Sequence, residues 1–202
     1  MELALKEGRF LVKFAREEIN AHFIGKKPEI PKDMEGIMSR KSSVFVKLNR
    51  YPSHALRGCF GYTESIMPLG QALREVSVSA AFRDHRFHPL RKNELKSTLV
   101  EVSILSEPEL IQVNNPEEYP KRIKIGRDGL IVDKDSVKGV LLPQMPIEFK
   151  WNSREFLSRT CMMASLRPSS WRYPDIKIYK FNAQIFAEKE PEGRIIKRKL
   201  QR

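Results

Sequence analysis

A cysteine flanked by two glycines is the most chemically suggestive feature of the sequence. Cys59 lies in the segment Leu56–Tyr62, between Gly58 and Gly61, and Arg57 stands two positions before it. Glycines weaken a strand and mark places where a backbone comes close to another group. A nearby cation lowers the pKa of a thiol, and the thiolate is the nucleophile. The segment predicts a site with Cys59 as the catalytic candidate and Arg57, Gly58 and Gly61 as ligand-binding candidates.

Cys59 also fits a purely structural role. Alternate residues of a strand point to opposite faces, and cysteine is among the residue types most often buried. Cys59 is therefore either a reactive group or a small side chain in the wall of a site. The second cysteine, Cys161, lies on the apolar stripe of a predicted helix, so we expect it in the core.

A second polar segment follows a predicted helix at Asp84–Leu90. It holds a carboxylate, a guanidinium and two imidazoles within five positions, at Asp84, His85, Arg86 and His88. Arg86 can bind a carboxylate or phosphate through two parallel hydrogen bonds, and either histidine can serve as a general base. The alternative is a helix-exit loop in which Asp84 and Arg86 bind each other or the backbone. Spacing places no further metal ligand, so the sequence predicts neither a metal nor a cofactor.

Two prolines bracket a third candidate, Gln144. Pro143 and Pro146 fix the backbone around it, so its amide would be presented rigidly as a hydrogen-bonding group. A stiff structural crossover is an equally good explanation of the pattern. Gln144 is therefore a ligand-binding candidate with a structural alternative.

Composition limits the class of protein. The chain has 202 residues, of which 41% are hydrophobic and 31% charged, values typical of a folded domain. Two cysteines are too few for a secreted disulfide scaffold or a four-cysteine zinc site. The charged start lacks the apolar region of a signal peptide, and no stretch is long and apolar enough to span a membrane. We expect a cytoplasmic protein without membrane contact.

The charge balance is strongly basic, and part of the excess is concentrated at the C-terminus. The net charge is +12, and Gly193–Arg202 holds five basic residues and no acid. We expect residues 188–202 to form a basic C-terminal tail. Such a tail either binds nucleic-acid phosphates or remains a solvated end.

Apolar periodicity predicts the elements that position these residues. Three- and four-residue steps predict helices at Leu11–Phe23, from Pro68 to about Phe82, and after Asn152, while Gly25–Gly36 is expected to be an exposed connection. Asp128-Gly129 predicts a hairpin turn between two strands. Further strands are predicted near residues 44–48, 55–62, 100–104, 140–142 and 177–187. Strands joined by short turns, with helices between groups of strands, predict an α+β fold of mainly antiparallel sheets with flanking helices.

Taken in order, these segments resemble the AMMECR-type domain family. The hallmark of that family is the hexapeptide Leu56–Gly61. The other matching blocks are Ala80–Leu90, Val100–Ser106, Gly126–Leu130, Leu141–Gln144, Glu155–Leu157 and Thr160-Cys161. The likeness extends from about Leu11 to Phe186, which identifies residues 1–187 as a single domain of this type.

The resemblance implies two intertwined lobes with a groove between them, and no established biochemical activity. It also implies Memo-type and radical-SAM proteins as partners in a pathway, since family members are similar to proteins encoded beside or fused to these. The residues that match the family pattern are Arg57, Cys59, Asp84, Arg86 and Gln144. His85 and His88 stand where the family has proline, which argues against a Cys–His pair as shared chemistry.

Two functions from different classes follow. The first is a ligand-binding or catalytic cleft centred on the Leu-Arg-Gly-Cys motif, in which Arg57 and Arg86 bind a small anionic ligand and Asp84 and Gln144 line the site. The second is a noncatalytic adaptor that binds protein or RNA through its basic surface. The sequence favours the cleft and leaves open whether the protein is an enzyme.

Overall fold

A computed structural model describes residues 2–135 and 137–200. Within them lie six α-helices and eight β-strands. The helices are α1 (Leu5–Ile24), α2 (Lys32–Met38), α3 (Leu69–Phe82), α4 (Tyr119–Arg122), α5 (Met145–Glu148) and α6 (Ser153–Met163). The strands are β1 (Ser43–Arg50), β2 (Leu56–Tyr62), β3 (Thr98–Leu105), β4 (Glu109–Leu110), β5 (Asp128–Lys134), β6 (Val137–Leu141), β7 (Lys177–Glu188) and β8 (Ile195–Arg198).

Contacts divide the chain into two units. Of the described residues, the first unit contains Glu2–Leu105 together with Gln184–Arg198, and the second contains Ser106–Ala183 together with Lys199 and Leu200. Strand β7 contributes to both, because the division falls within it. The pairs β1–β2, β1–β3, β4–β7, β5–β6, β5–β7 and β7–β8 are antiparallel, and the predicted α+β class is confirmed. The groove between two lobes stays a prediction.

In the first unit, β1 is the middle strand of a sheet. One face of this sheet packs against helices. It pairs with β2 on one side and with β3 on the other. Val46 lies opposite Val102, and Leu48 lies opposite Val100, so these fully buried side chains share one face. Helices α1 and α3 contact the sheet on this side, in the larger apolar core. The core holds β2 in place, and β2 carries the Leu-Arg-Gly-Cys motif.

The opposite face of the same sheet is polar. Lys47 of β1 lies opposite both Cys59 of β2 and Glu101 of β3, which places the three side chains in one row. Lys47 and Glu101 are buried, and Glu101 pairs with Arg198 of β8. Cys59 therefore has charged neighbours on its own face of the sheet.

The second unit has its own apolar core. Strand β5 pairs with β6 and with the first half of β7, and β4 pairs with β7. Helix α6 contacts β5 and β6. Its core includes Leu130, Val132, Phe156, Leu157, Cys161, Trp171 and Ile178. Cys161 is fully buried there, as expected from the apolar stripe.

The hairpin turn predicted at Asp128-Gly129 is wrong. Both residues begin strand β5, and the hairpin that exists joins β5 to β6, next to Asp135 in the left-handed region at φ 55°. The buried Asp128 carboxylate accepts hydrogen bonds from the Lys124 amide and the Arg127 guanidinium, and it thereby closes the turn that precedes β5. Gly129 is needed for close packing, because a Cβ there would lie 2.3 Å from the Phe181 ring.

Two segments expected to be open are partly folded. Helix α2 begins within the connection predicted at Gly25–Gly36 and ends just after it, and its Met34, Ile37 and Met38 pack into the first core. The segment 188–202, predicted to be a tail, contains β8, which pairs with the end of β7. Its Ile195 is 4% exposed, and this apolar anchor draws the basic segment onto the sheet.

Candidate functional site

Arg57 lies at a break in the pairing of β1 with β2. Leu48 lies opposite Gly58 while the next residue, Asn49, lies opposite Leu56, so Arg57 is an extra residue between two pairs. A bulge of this kind bends a strand and redirects a side chain. Arg57 is 4% exposed, which is unusual for an arginine and requires partners for its guanidinium.

The Arg57 guanidinium has partners on only two of its three nitrogens. Its Nε donates to Glu94 Oε1 at 3.0 Å, and Nη2 donates to Glu94 Oε2 at 3.1 Å and to the His88 carbonyl at 3.0 Å. These bonds lower the pKa of the Glu94 carboxyl. Nη1 is buried and has no hydrogen-bond partner among residues 2–135 and 137–200. Leaving a buried donor unpaired costs about 1–3 kcal/mol, so an acceptor that bound this nitrogen would recover that free energy.

Asp84 and Arg86 form a second ion pair in the loop after α3. Arg86 Nε donates to Asp84 Oδ1 at 2.9 Å, and Nη2 donates to Oδ2 at 2.6 Å. Asp84 is 8% exposed and also accepts the Cys59 amide at 2.8 Å. The Arg86 hydrogen bonds lower the pKa of Asp84 to about 2, so the carboxylate is ionised at neutral pH. This carboxylate ties the loop to β2 beside Cys59.

Both ion pairs border one groove within the first unit. The groove has a volume of about 550 Å³, within the range of about 300–1,000 Å³ usual for small-molecule sites. Its lining comprises Arg50, Arg57, His85, Arg86, Phe87, His88, Pro89, Arg91, Asn93 and Glu94. The guanidinium carbons of Arg57 and Arg86 lie 5.9 and 5.7 Å from the centre of the Phe87 ring. The two predicted anion-binding arginines are thus brought together on one aromatic side chain.

Cys59 is close to this groove but does not belong to the residues that line it. The half-buried thiol has a pKa raised to about 11 because burial disfavours the thiolate. The positive charges of Arg86 and Lys47 lower the pKa of this thiol, and the negative charges of Asp84 and Glu101 raise it further. Cys59 is therefore a protonated thiol at neutral pH, linked to the groove through its main-chain bond to Asp84.

We expect Cys59 to react slowly with iodoacetamide at pH 7, and the rate to rise about tenfold for each pH unit toward pH 11. The reason is that only the thiolate reacts, and burial keeps it scarce. Cys161, whose pKa is also raised to about 11 by burial, is fully buried and should react later. Peptide-level mass spectrometry follows both sites separately. Rapid labelling of Cys59, with a rate that reaches its plateau below pH 8.5, would contradict this expectation. It would support the hypothesis that Cys59 is an activated nucleophile.

The two glycines of the motif have packing roles. A Cβ at Gly58 would lie 2.0 Å from the Ala80 carbonyl oxygen, so the main chain of β2 touches the main chain of α3. A Cβ at Gly61 would lie 2.2 Å from the Phe45 ring. Neither glycine lines the groove. Gly58 acts indirectly, because close contact with α3 sets the distance between β2 and the loop that follows the helix.

Gln144 is placed apart from the other candidates. It belongs to the second unit, immediately before α5, and is completely buried. The groove lies entirely on residues of the first unit. The structure therefore places Arg57 and Arg86 in the lining of the groove. Asp84 is buried outside the lining, where it binds Arg86, and Gln144 is not part of the groove.

Sequence reasoning missed four of the lining residues: Arg50, Arg91, Asn93 and Glu94. Glu94 lies in a single turn of 3₁₀ helix, Glu94–Ser97, and its carboxylate also accepts the Arg91 amide at 2.9 Å. An acid three residues after the basic Arg91 was the available signal for this turn. Nothing in the sequence pattern connects it with Arg57, which is 37 positions away.

Across residues 2–135 and 137–200, no group of three or more His, Cys, Asp or Glu side chains is arranged to hold a metal ion. His85 and His88 line the groove as individual imidazoles. In the same residues, no helix combines the length and apolar character that crossing a membrane requires.

Known proteins resemble the chain along almost its whole length. A sequence profile of the AMMECR1 family matches residues 12–186. A protein of Methanocaldococcus jannaschii is 48% identical over 198 residues, which cover 98% of each chain. One of Methanopyrus kandleri is 46% identical over 202 residues, covering 98% of this chain and 97% of the other. The crystal structure of an uncharacterized protein from Pyrococcus horikoshii superposes with a TM-score of 0.93 at 45% identity, over 99% of this chain and all of that one. The chain belongs to the AMMECR1 family.

Proposed function

We propose that this protein binds a small anionic ligand in the groove lined by Arg57 and Arg86. The observation that carries the proposal is the Arg57 Nη1, which has no hydrogen-bond partner among the described residues although the rest of the guanidinium is fully engaged. Because this nitrogen is buried, a ligand oxygen reaches it from the groove only when the side chains that cover it shift, and the oxygen then supplies the missing acceptor. Charge-assisted hydrogen bonds of this kind are about twice as strong as neutral ones.

The surrounding charge supports an anion. Four arginines line the groove, and Glu94 is the one carboxylate among its lining residues. Arg57 is fixed by Glu94 and Arg86 is fixed by Asp84, so both heads are held in place before a ligand arrives. Side chains that are already ordered lose little entropy on binding.

Cys59 enters this proposal as a residue next to the groove and outside its lining. It is linked to the groove through its amide, which donates to Asp84, the partner of Arg86. A covalent step at Cys59 would require the thiolate, which burial disfavours. We therefore propose binding as the function of the groove, with chemistry at Cys59 dependent on the outcome of the alkylation experiment.

The adaptor alternative has weaker support. It relied on the basic C-terminal segment as an available surface, but Arg198 pairs with Glu101 and Lys197 donates to Gln184 Oε1 at 3.1 Å. Those two cations stabilise the fold of the first unit. A pathway shared with Memo-type and radical-SAM proteins stays a proposal that depends on the family resemblance alone.

Titration of ¹⁵N-labelled protein with sodium sulfate tests the proposal. We expect amide shifts at Arg57, the loop of Asp84–Leu90 and the turn at Glu94, and a binding constant that falls as sodium chloride is added. Replacing the exposed Arg91 with glutamine should weaken sulfate binding about fivefold, since one cation is lost from the lining.

Arg167→Gln is the matched control for that titration. It makes the same change at an exposed arginine of the second unit, outside the groove. It should bind sulfate as the wild-type protein does. Shifts that map elsewhere, or equal weakening by Arg91→Gln and Arg167→Gln, would contradict the proposal.

A further inference from the structure

We infer that the ligand of the groove is a phosphate monoester in its dianionic form. The inference rests on the proposed function and narrows it to one class of anion. Three properties of the lining lead to it: the number of uncompensated positive charges, the number of available donors, and an apolar side to the groove.

The arginines that line the groove outnumber by two the carboxylates that pair with them. Glu94 engages Arg57, and Asp84 engages Arg86. Among the described residues, neither Arg50 nor Arg91 forms an ion pair. Arg50 also acts through space on Glu94, so the excess belongs to the cluster as a whole. Counted with Asp84, the four arginines and Glu94 leave a net charge of +2 at the groove, which a dianion balances.

The donors outnumber the oxygens of a carboxylate. Arg57 Nη1 has no partner, and the bonds from Arg86 to Asp84 use Nε and Nη2, which leaves its Nη1 for another acceptor. The heads of Arg50 and Arg91 add further donors from a different part of the lining. A phosphate monoester presents three acceptor oxygens on one atom, whereas a carboxylate presents two.

The apolar lining favours an ester over inorganic phosphate. Phe87 and Pro89 border the same groove as the arginines, and a volume of about 550 Å³ leaves room for an organic group beside the phosphate. Small-molecule sites usually combine such apolar walls with a few placed polar groups. A phosphodiester, as in a nucleic-acid backbone, carries a single negative charge and would leave one of the two cations unbalanced.

Calorimetric titration at pH 8 with four simple probes tests this inference. Phenyl phosphate is a dianion there because the second pKa of a phosphate monoester is about 6. We expect it to bind at least about tenfold more tightly than methyl phenyl phosphate, a monoanionic diester, and than benzoate. Phenyl phosphate should also bind more tightly than succinate, which carries its two charges on separate carboxylates.

The double variant Arg50→Gln/Arg91→Gln separates charge from general affinity. Without the uncompensated cations, the preference for phenyl phosphate over the diester should fall to about twofold or less, while Arg167→Gln keeps the full preference. Equal affinities of phenyl phosphate and succinate would overturn the monoester assignment and leave anion binding intact. Binding of none of the four probes would overturn both proposals.

Discussion

Replacing Gly58 by alanine is expected to lower the free energy of unfolding by about 3 kcal/mol, the upper range for inserting a methyl group into a packed interior. The added Cβ would lie 2.0 Å from the Ala80 carbonyl oxygen and 3.1 Å from its carbonyl carbon. Both atoms belong to the main chain of α3, so a side-chain rotation cannot relieve the contact. Strand β2 or the end of α3 must move.

Urea denaturation followed by circular dichroism measures this change. Gly36→Ala is the matched control, because Gly36 lies inside α2 with no atom within 4 Å of the added Cβ. Alanine there should raise stability by about 0.5–1 kcal/mol through helix propensity. If Gly58→Ala denatured at the same urea concentration as the wild-type protein, the close contact between β2 and α3 would be refuted.

Replacing Arg57 by leucine should abolish anion binding and lower stability by about 3 kcal/mol, which is the lower end of the range for breaking a buried ion pair. The lower end applies because the Glu94 side chain is 33% exposed and can regain water. The His88 carbonyl would also lose its donor. Denaturation and a phenyl phosphate titration report the two effects separately.

Two companion variants distinguish binding from folding. Arg57→Lys keeps the charge but cannot reproduce the two parallel bonds to Glu94, so it should retain part of the stability and lose most of the affinity. Arg57→Leu/Glu94→Leu removes both partners and should recover about 1 kcal/mol or more of the loss. A stable Arg57→Leu protein that bound phenyl phosphate with unchanged affinity would exclude Arg57 from the site.

The sequence was informative about which segments meet. The motif on β2 and the loop at Asp84–Leu90 were both identified as polar and unusual, and the structure brings Arg57 and Arg86 to one groove. A strand was predicted near residues 55–62 and a helix from Pro68 to about Phe82, and the structure has β2 and α3 there. Glu94 was beyond such reasoning, because its role depends on a tertiary contact and not on local spacing.

The chemistry of Cys59 shows the limit of reading neighbours from sequence. Arg57 stands two positions away and suggested a lowered thiol pKa. The bulge directs Arg57 to Glu94, and the cations that act on Cys59 are Arg86 and Lys47. Burial outweighs them and raises the pKa. Solvent exposure and the direction of a bulged side chain are both properties of the folded chain.

The basic segment 188–202 illustrates a similar limit. Its charge suggested a solvated or RNA-binding end. The segment instead contains β8, a strand of only four residues that begins with Ile195 and Ile196. Pairing with β7 and the Arg198 bond to Glu101 make β8 part of the fold. A strand that short is recognisable only when its partner strand is known.

Diffraction from crystals of the full-length protein grown with sodium selenate would test the groove most directly. Selenate is a tetrahedral dianion, and its selenium can be located by anomalous scattering. The account predicts a selenium peak in the groove, with selenate oxygens about 3 Å from the guanidinium nitrogens of Arg57 and Arg86. A groove without a selenium peak, in crystals where selenate occupies other basic surfaces, would contradict the account.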